Sequence, residues 1–261
     1  MKKILLLLLS LFLLTNSAIA ETVKFIQVTD VHTTKDNINY VKQFVEDINK
    51  RNDIDFVVFT GDNIDKPHIQ DLDLFLNEIK NINVKTYVTI GNHDVFKSQH
   101  LDKQLYMKTV KKALGSYHSD QPNYVFKDKG IVFVVMDGVK EIIPGSNGYF
   151  RDSELAWLDK TLTKYTNNKV VIIQHFPLLP CKTADHGIYK LDNYLKVLEK
   201  HSNVIGVISG HYHENREEYK YGVYNIITAK FNNNQYYKII EIDNKSNMIY
   251  THLAEPENFE I

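Results

Sequence analysis

The sequence predicts an α/β fold organised on a parallel core sheet, and three observations carry the prediction. Strand-like apolar runs alternate with amphipathic stretches through the first part of the chain, the signature of right-handed crossover connections. Those runs are continuously apolar, as in Phe56-Val57-Val58-Phe59, and so fit strands buried on both faces. From Tyr219 to Leu253, Tyr, Ile and Val alternate with polar residues, a pattern of antiparallel strands expected to complete a second sheet.

The first twenty residues have a separate job. Met1-Lys2-Lys3 is a short cationic start, Ile4 to Leu14 is apolar apart from Ser10, and Ala18-Ile19-Ala20 places small residues before Glu21. A membrane span needs about 20 apolar residues, and this core is nearer half that length. Residues 1–20 are therefore expected to be a cleaved signal peptide and residues 21–261 a single exported domain, secreted or periplasmic, with no membrane span of its own. No Cys follows the apolar core, which argues against a lipoprotein anchor, and Cys181 is the only cysteine, so an intramolecular disulfide is excluded. The chain has 31 basic and 32 acidic residues, and loss of Lys2 and Lys3 with the signal takes its net charge from −1 to about −3. Without a clustered excess of Lys and Arg, a nucleic-acid polymer is not an expected partner.

Taken in order, each strand-like run ends in a group capable of chemistry. Lys24–Thr29 leads into Asp30-Val31-His32, and alternate residues of an extended segment share a side, so Asp30 and His32 can hold one ion between them. Asn37–Arg51 carries Ile38, Val41, Phe44, Val45 and Ile48 at helical spacing. Phe56–Phe59 then runs into Thr60-Gly61-Asp62-Asn63-Ile64-Asp65, at the strand end where α/β sheets place their sites. By itself this stretch fits either a metal-bridging carboxylate at Asp62 or an ordinary turn. A second helix near Asp71–Ile82 precedes the strand Thr86–Ile90 and the loop Gly91-Asn92-His93-Asp94. There the Gly permits a tight exit, the Asn oxygen is a neutral hard donor and the His can point elsewhere, with a helix-capping turn as the alternative.

A helix over Leu101–Leu114 and strands at Asn123–Phe126 and Ile131–Met136 follow, with Asp137-Gly138 read as a simple turn. Asp152–Lys164 opens on acidic residues, as a helix N-terminus favours, and carries Leu155, Trp157, Leu158 and Leu162 as its core face. The β-branched run Lys169–Gln174 stops at His175-Phe176-Pro177. Val204–Ser209 delivers Gly210-His211-Tyr212-His213, which brings two imidazoles within reach of one cluster.

The succession Asp-x-His, Gly-Asp, Gly-Asn-His-Asp, His and Gly-His-x-His, each closing a strand-like run, resembles the calcineurin-like metallophosphoesterases over residues 24–215. The resemblance implies a four-layer αββα sandwich, two mixed β-sheets flanked by helices with the metals at the strand ends. It implies that Asp30, His32 and His213 hold one metal, that Asn92, His175 and His211 hold the other, and that Asp62 bridges both. Imidazole, carboxylate and amide donors without thiolate suit Mn, Fe or Zn and not a structural Cys zinc site. Two such ions would share a bridging hydroxide that attacks phosphorus. His93 is implied as a non-ligand that stabilises phosphate charge or protonates the leaving oxygen, with Asp65 orienting it through a charge-assisted hydrogen bond. Asp65 also stands where the purple acid phosphatase branch has a Tyr ligand, so no Tyr-to-iron colour is expected.

The function expected is export-linked, metal-dependent hydrolysis of a small phosphodiester or phosphomonoester, nucleotide-like in kind. The motifs do not separate the two, because both use the same metals. Discrimination is expected from variable loops, with Asn63, Tyr149, Phe150, Arg151, Phe176, Asp185, His186 and Tyr212 as candidates, each equally compatible with packing. His68, His100, His118, His201 and His252 belong to no motif and are expected at the solvent surface. A catalytically silent binding protein on the same fold is the alternative, and the complete ligand set runs against it. An amide or lactam hydrolase would call for a His-x-His-x-Asp-His cluster early in the chain, which is absent.

Overall fold

The computed structural model describes residues 22–182 and 185–254, so the expected signal segment lies outside the described residues. In chain order the elements are β1 (Thr22–Val28), α1 (Ile38–Ile48), β2 (Phe56–Thr60), α2 (Ile69–Ile79), β3 (Lys85–Thr89), α3 (Lys103–Leu114), β4 (Tyr124–Asp128) and β5 (Ile131–Val135). They continue with α4 (Asp152–Lys164), β6 (Val170–Ile173), α5 (Leu191–Leu198), β7 (Val204–Ser209), β8 (Arg216–Lys220), β9 (Val223–Ile227), β10 (Tyr237–Asp243) and β11 (Ile249–Ala254). One sheet runs β11-β10-β1-β2-β3 and the other β4-β5-β6-β7-β9-β8. In the first, β1, β2 and β3 are parallel and β10 and β11 extend them antiparallel. In the second, β5, β6, β7 and β9 are parallel, with β4 and β8 antiparallel at the edges.

The period of a strand sends alternate side chains to opposite faces, and β2 shows what each face meets. Phe56 points between the sheets, stacking on Phe25 at 4.6 Å and meeting Phe133 of β5 edge-on at 5.0 Å. Tyr87 and Phe126 stack at 3.6 Å and extend this aromatic layer. Phe59 points the other way, against Phe44 of α1 and Phe75 of α2. On the outer face of the second sheet, Leu155, Leu158 and Leu162 of α4 and Tyr194 of α5 close a separate cluster over Val132, Val134 and Ile172. The layers are therefore helices, sheet, sheet, helices, as expected. Each buried large apolar side chain contributes roughly 1.5–3 kcal/mol of transfer free energy, so the aromatic layer between the sheets is the main adhesive of the sandwich.

A buried polar bridge fixes how the strand ends meet. The amide of Gln27 donates to Thr60 Oγ1 in its own sheet and to the Ser209 carbonyl in the other, and its Oε1 accepts from Thr228 Oγ1. An unpaired amide here would cost on the order of 1–3 kcal/mol, so the pairing sets one register between the sheets. It lies just beneath the carboxyl ends of β1, β2 and β7.

Several expectations are corrected. The C-terminal strands do not all complete the second sheet: β8 and β9 do, with β9 parallel to β7, whereas β10 and β11 return to the first sheet beside β1. Helix α5 lies in a stretch for which no element was expected. Asp137 does not sit in a simple turn, because it is fully buried and pairs with Lys103 Nζ at 2.5 Å. His118 is buried, accepting from the Val88 amide and donating to the Ser119 carbonyl, and His201 is nearly covered and bonded to Asp159 at 2.6 Å. His68, His100 and His252 are exposed as expected. Trp157 packs, half-buried, against the outer cluster.

Candidate metal centre

The loops after β1, β2, β3, β6 and β7 converge at one edge of the sandwich, and the expected residues meet there. Asp30 and His32 do so by a route other than the expected one. They are not alternate residues of an extended strand: both adopt left-handed backbone, with φ of 52° and 47°. Asp62, His211 and His213 share that conformation at 51°, 69° and 55°. Left-handed backbone costs a non-glycine residue roughly 1–2 kcal/mol, and it persists only where surrounding bonds impose it. Those bonds are present, since Asp30 N donates to Gly61 O, His32 N to Asp62 O and Gly210 N to His175 O, all at 2.9–3.0 Å. Gly91 is required for close approach, because a Cβ there would lie 2.1 Å from Asp62 N.

The side chains form two overlapping groups around Asp62. In one, His213 Nε2 lies 3.2 Å from Asp30 Oδ1 and 3.4 Å from His32 Nε2, which is itself 3.9 Å from Asp62 Oδ2. In the other, His175 Nε2 lies 3.1 Å from Asn92 Oδ1, 3.2 Å from His211 Nδ1 and 3.4 Å from Asp62 Oδ2. Second contacts fix which atom of each residue faces inward. His175 Nδ1 donates to Thr60 O and His211 Nε2 to His186 O, so the opposite nitrogens carry the lone pairs. Asp30 Oδ2 accepts from Thr29 Oγ1 and His211 N, while its buried Oδ1 accepts no hydrogen bond. Asp62 Oδ1 accepts from His93 N.

This donor set fits metal ions. Two imidazole nitrogens facing each other at 3.2–3.4 Å are not both donors, and as two acceptors they repel unless a proton or a cation lies between them. Burial pushes His32 below the ordinary imidazole range; burial and then His175 push His211 down to about 4, so both present free lone pairs. Burial opposes charge on His175 as well, yet Asp62 outweighs it and raises that imidazole to about 9. A metal and a proton therefore compete for the same nitrogen. Asp30 and Asp62 are fully buried, which disfavours their charge, but the surrounding imidazoles hold both carboxyls below the ordinary range. The geometry gathers Asp30, His32 and His213 in one potential metal-holding group and Asp62, His175 and His211 in another.

His93 stands at the rim, exposed, with its ring edge-on to His32 at 4.7 Å. Its Nδ1 donates to the backbone carbonyl of Asp65 at 2.9 Å, not to the Asp65 carboxylate that the sequence reading had expected. The carboxylate instead lies 3.9 Å from His32 Nδ1. Burial lowers the affinity of His93 for a proton, but Asp62 and the Asp65 carbonyl outweigh it and the net shift is upward.

Several loop candidates turn out to be structural. Asn63 is buried and bonds Thr89, Asp94 and Tyr106; Phe150 and Phe176 are buried; Arg151 pairs with Glu154 at the start of α4; Tyr212 bonds the Leu179 carbonyl. The sequence reading missed Asp94, whose carboxylate accepts from the amides of Asn63, Ile64 and Gly91 and so ties two site loops together. Its position in Gly-Asn-His-Asp was the only signal.

A sandwich of two mixed sheets with imidazole, carboxylate and amide groups gathered around the Asp62 carboxylate is the arrangement of a candidate dinuclear metal centre. The chain matches the calcineurin-like phosphoesterase model over residues 23–215 and belongs to that family, whose members are hydrolases acting on phosphoesters. A probable glycerophosphodiester phosphodiesterase of Arcobacter nitrofigilis is 26% identical over 167 residues, 61% of this chain and 56% of the relative. A probable cyclic nucleotide phosphodiesterase of Xenorhabdus bovienii is 22% identical over 209 residues, 74% of this chain and 79% of the relative. Among solved structures, a dimetal phosphatase from Danio rerio has the same fold, with a TM-score of 0.66 at 17% identity, over 88% of this chain and 98% of that one.

Proposed function

We propose that the protein is a metal-dependent phosphoric-ester hydrolase acting on a small substrate, with Asp30, His32 and His213 holding one ion, Asn92, His175 and His211 the other, and Asp62 lying between them. The observation that carries this is the pair of nitrogen-to-nitrogen imidazole contacts arranged about the single carboxylate oxygen Asp62 Oδ2. Two Mn, Fe or Zn ions bound there would supply positive charge for the phosphoryl oxygens and a nucleophile at neutral pH. The protein's own groups do the rest. Thr60 and His186 fix the imidazole tautomers, and Thr29 and the His211 amide hold Asp30 so that Oδ1 faces inward. His93, aimed by the Asp65 carbonyl, sets its ring beside His32, where it stabilises phosphate charge or protonates the departing oxygen. The two relatives named as phosphodiesterases favour a phosphodiester over a phosphomonoester. The cationic start, apolar core and Ala18-Ile19-Ala20 support export to a secreted or periplasmic location.

The test is hydrolysis of a chromogenic phosphodiester and the matching phosphomonoester by the chain from Glu21 onward, loaded with Mn, Fe or Zn and then treated with chelator. The expected result is faster cleavage of the diester, abolished by chelation. Turnover that survives complete metal removal, or none with any of the three ions, overturns the proposal.

A further inference from the structure

The two groups of donors differ in what stands behind them. Phe176, fully buried, follows His175 directly and sets its ring edge-on to His175 at 5.0 Å and to His211 at 4.8 Å. The two imidazoles are themselves 4.9 Å apart, so three rings close a triangle beside the ligands assigned to one ion. His186 and Tyr212 approach His211 less closely, with ring centroids at 5.7 Å and 5.6 Å. Among the described residues, the rings of His32 and His213 meet imidazoles alone: each other at 5.5 Å, and His93 for His32 at 4.7 Å.

Phe176 is held from two directions. Its carbonyl accepts from the buried Gln174 amide, whose Oε1 accepts from Tyr194 of α5 at 2.6 Å. Its ring is pressed by Gly148 in the loop after β5, where a Cβ would lie 2.6 Å from Phe176 Cγ, 2.8 Å from Cδ2 and 2.9 Å from Cβ. Gly148 is fixed in turn, since its N donates to the Gly187 carbonyl at 3.2 Å and its own carbonyl accepts from the Tyr189 amide at 2.8 Å. His186, next to Gly187, supplies the carbonyl that orients His211.

We infer that Phe176, with Gly148 behind it, is a positioning residue for one ion of the pair, the ion assigned to Asn92, His175 and His211, and not for the other. The inference rests on the proposed two-ion reading. The bond that turns an imidazole has a broad torsional preference, so packing and hydrogen bonds decide the plane of the ring. The carbonyls of Thr60 and His186 select which nitrogen of each ring faces inward, and the Phe176 wedge limits rotation of both rings, which keeps those nitrogens aimed before a metal arrives.

The test titrates Zn, which is diamagnetic, into the metal-free protein against a competing chelator, with the imidazole nitrogens followed by NMR. His175 and His211 report one ion, His32 and His213 the other. Phe176→Leu keeps the space apolar and removes the flat ring. Gly148→Ala strikes the same contact from the opposite side, and because Phe176 Cβ is among the atoms struck, turning the ring gives no full relief. Both variants are expected to weaken Zn at His175 and His211 by about 10–100-fold and to leave the His32 and His213 curves within about threefold of wild type. Gly187→Ala is the control, because its Cβ meets nothing nearer than Tyr212 Oη at 4.0 Å, and it leaves both curves in place. Weakening at His32 and His213 equal to that at His175 and His211, or no weakening at His175 and His211 in either variant, overturns the positioning role and leaves the two-ion reading intact. Wild-type imidazoles that do not respond to Zn overturn the two-ion reading itself, and the positioning role with it.

Discussion

Gly210 separates β7 from His211, and replacing it with Ala probes how tightly the two sheets interlock at the centre. The added Cβ would lie 1.8 Å from Thr29 Oγ1, 2.8 Å from Thr29 Cβ and 2.6 Å from Asp30 Oδ2. Rotating the Thr29 side chain cannot relieve this, because its Cβ is itself too close. Ordinary contact begins near 3.4 Å, so the β1 and β7 ends must separate by roughly 0.6 Å with Thr29 rotated and roughly 1.6 Å without, at a place where Thr29 and Asp30 are fully buried. Overpacking of this kind costs about 1–3 kcal/mol of stability. The larger effect is on geometry, since Asp30 is held by Thr29 Oγ1 and His211 N, the two groups that move. A displacement of about 1 Å in a catalytic constellation lowers turnover by about a hundredfold, and Gly210→Ala is expected to lose at least that much kcat at saturating metal. Gly222→Ala is the control. It has nothing within 4 Å but a φ of +76°, so it carries backbone strain of about 1 kcal/mol and no effect on turnover. Chemical denaturation and phosphodiester turnover, measured on both variants, separate the two effects. Gly210→Ala with turnover within threefold of wild type would refute the interlock.

Three further outcomes are expected. Asp137→Ala leaves the Lys103 ammonium buried with only the Val139 carbonyl, and loss of one partner of a buried pair costs about 3–5 kcal/mol, readable as a lowered urea midpoint. Burial pushes His118 down to about 4, from about 6.5 unfolded, so the folded state binds the proton less readily. The stability this gives is complete above pH 6.5 and is lost as pH falls from 6.5 to 4, on the order of 3 kcal/mol, and His118→Phe is expected to flatten the denaturation profile over that window. His93→Ala is expected to keep both metals by elemental analysis and lose about 10²–10⁴-fold in kcat, the range for a positioned acid; loss of metal instead would make His93 a ligand.

Apart from β9, which was expected to be antiparallel, the parallel strands were legible because continuous apolar runs at strand length leave little choice of element; Phe56–Phe59 falls within β2, which ends one residue later at Thr60. The residues that converge at the candidate centre were legible for the same reason, since they stand in the loops that follow such runs. The manner of convergence was not. Left-handed backbone at Asp30 and His32 is imposed by bonds from Gly61 and Asp62, some thirty residues away, and no local pattern encodes it. Likewise Asp137 and Asp94 read as turn residues until Lys103 and the Asn63 amide, distant in sequence, supply their partners. The routing of β10 beside β1 depends on which sheet edge is open, and alternation along a strand carries no information on that.

The central claim is that Asp62 is shared between two metals, and metal stoichiometry tests it most directly. Elemental analysis of the Mn-loaded protein should find two ions per chain in the wild type, and Asp62→Asn should lose both ions together with phosphodiester turnover. An Asp62→Asn variant that keeps two ions and hydrolyses the diester at the wild-type rate would contradict it.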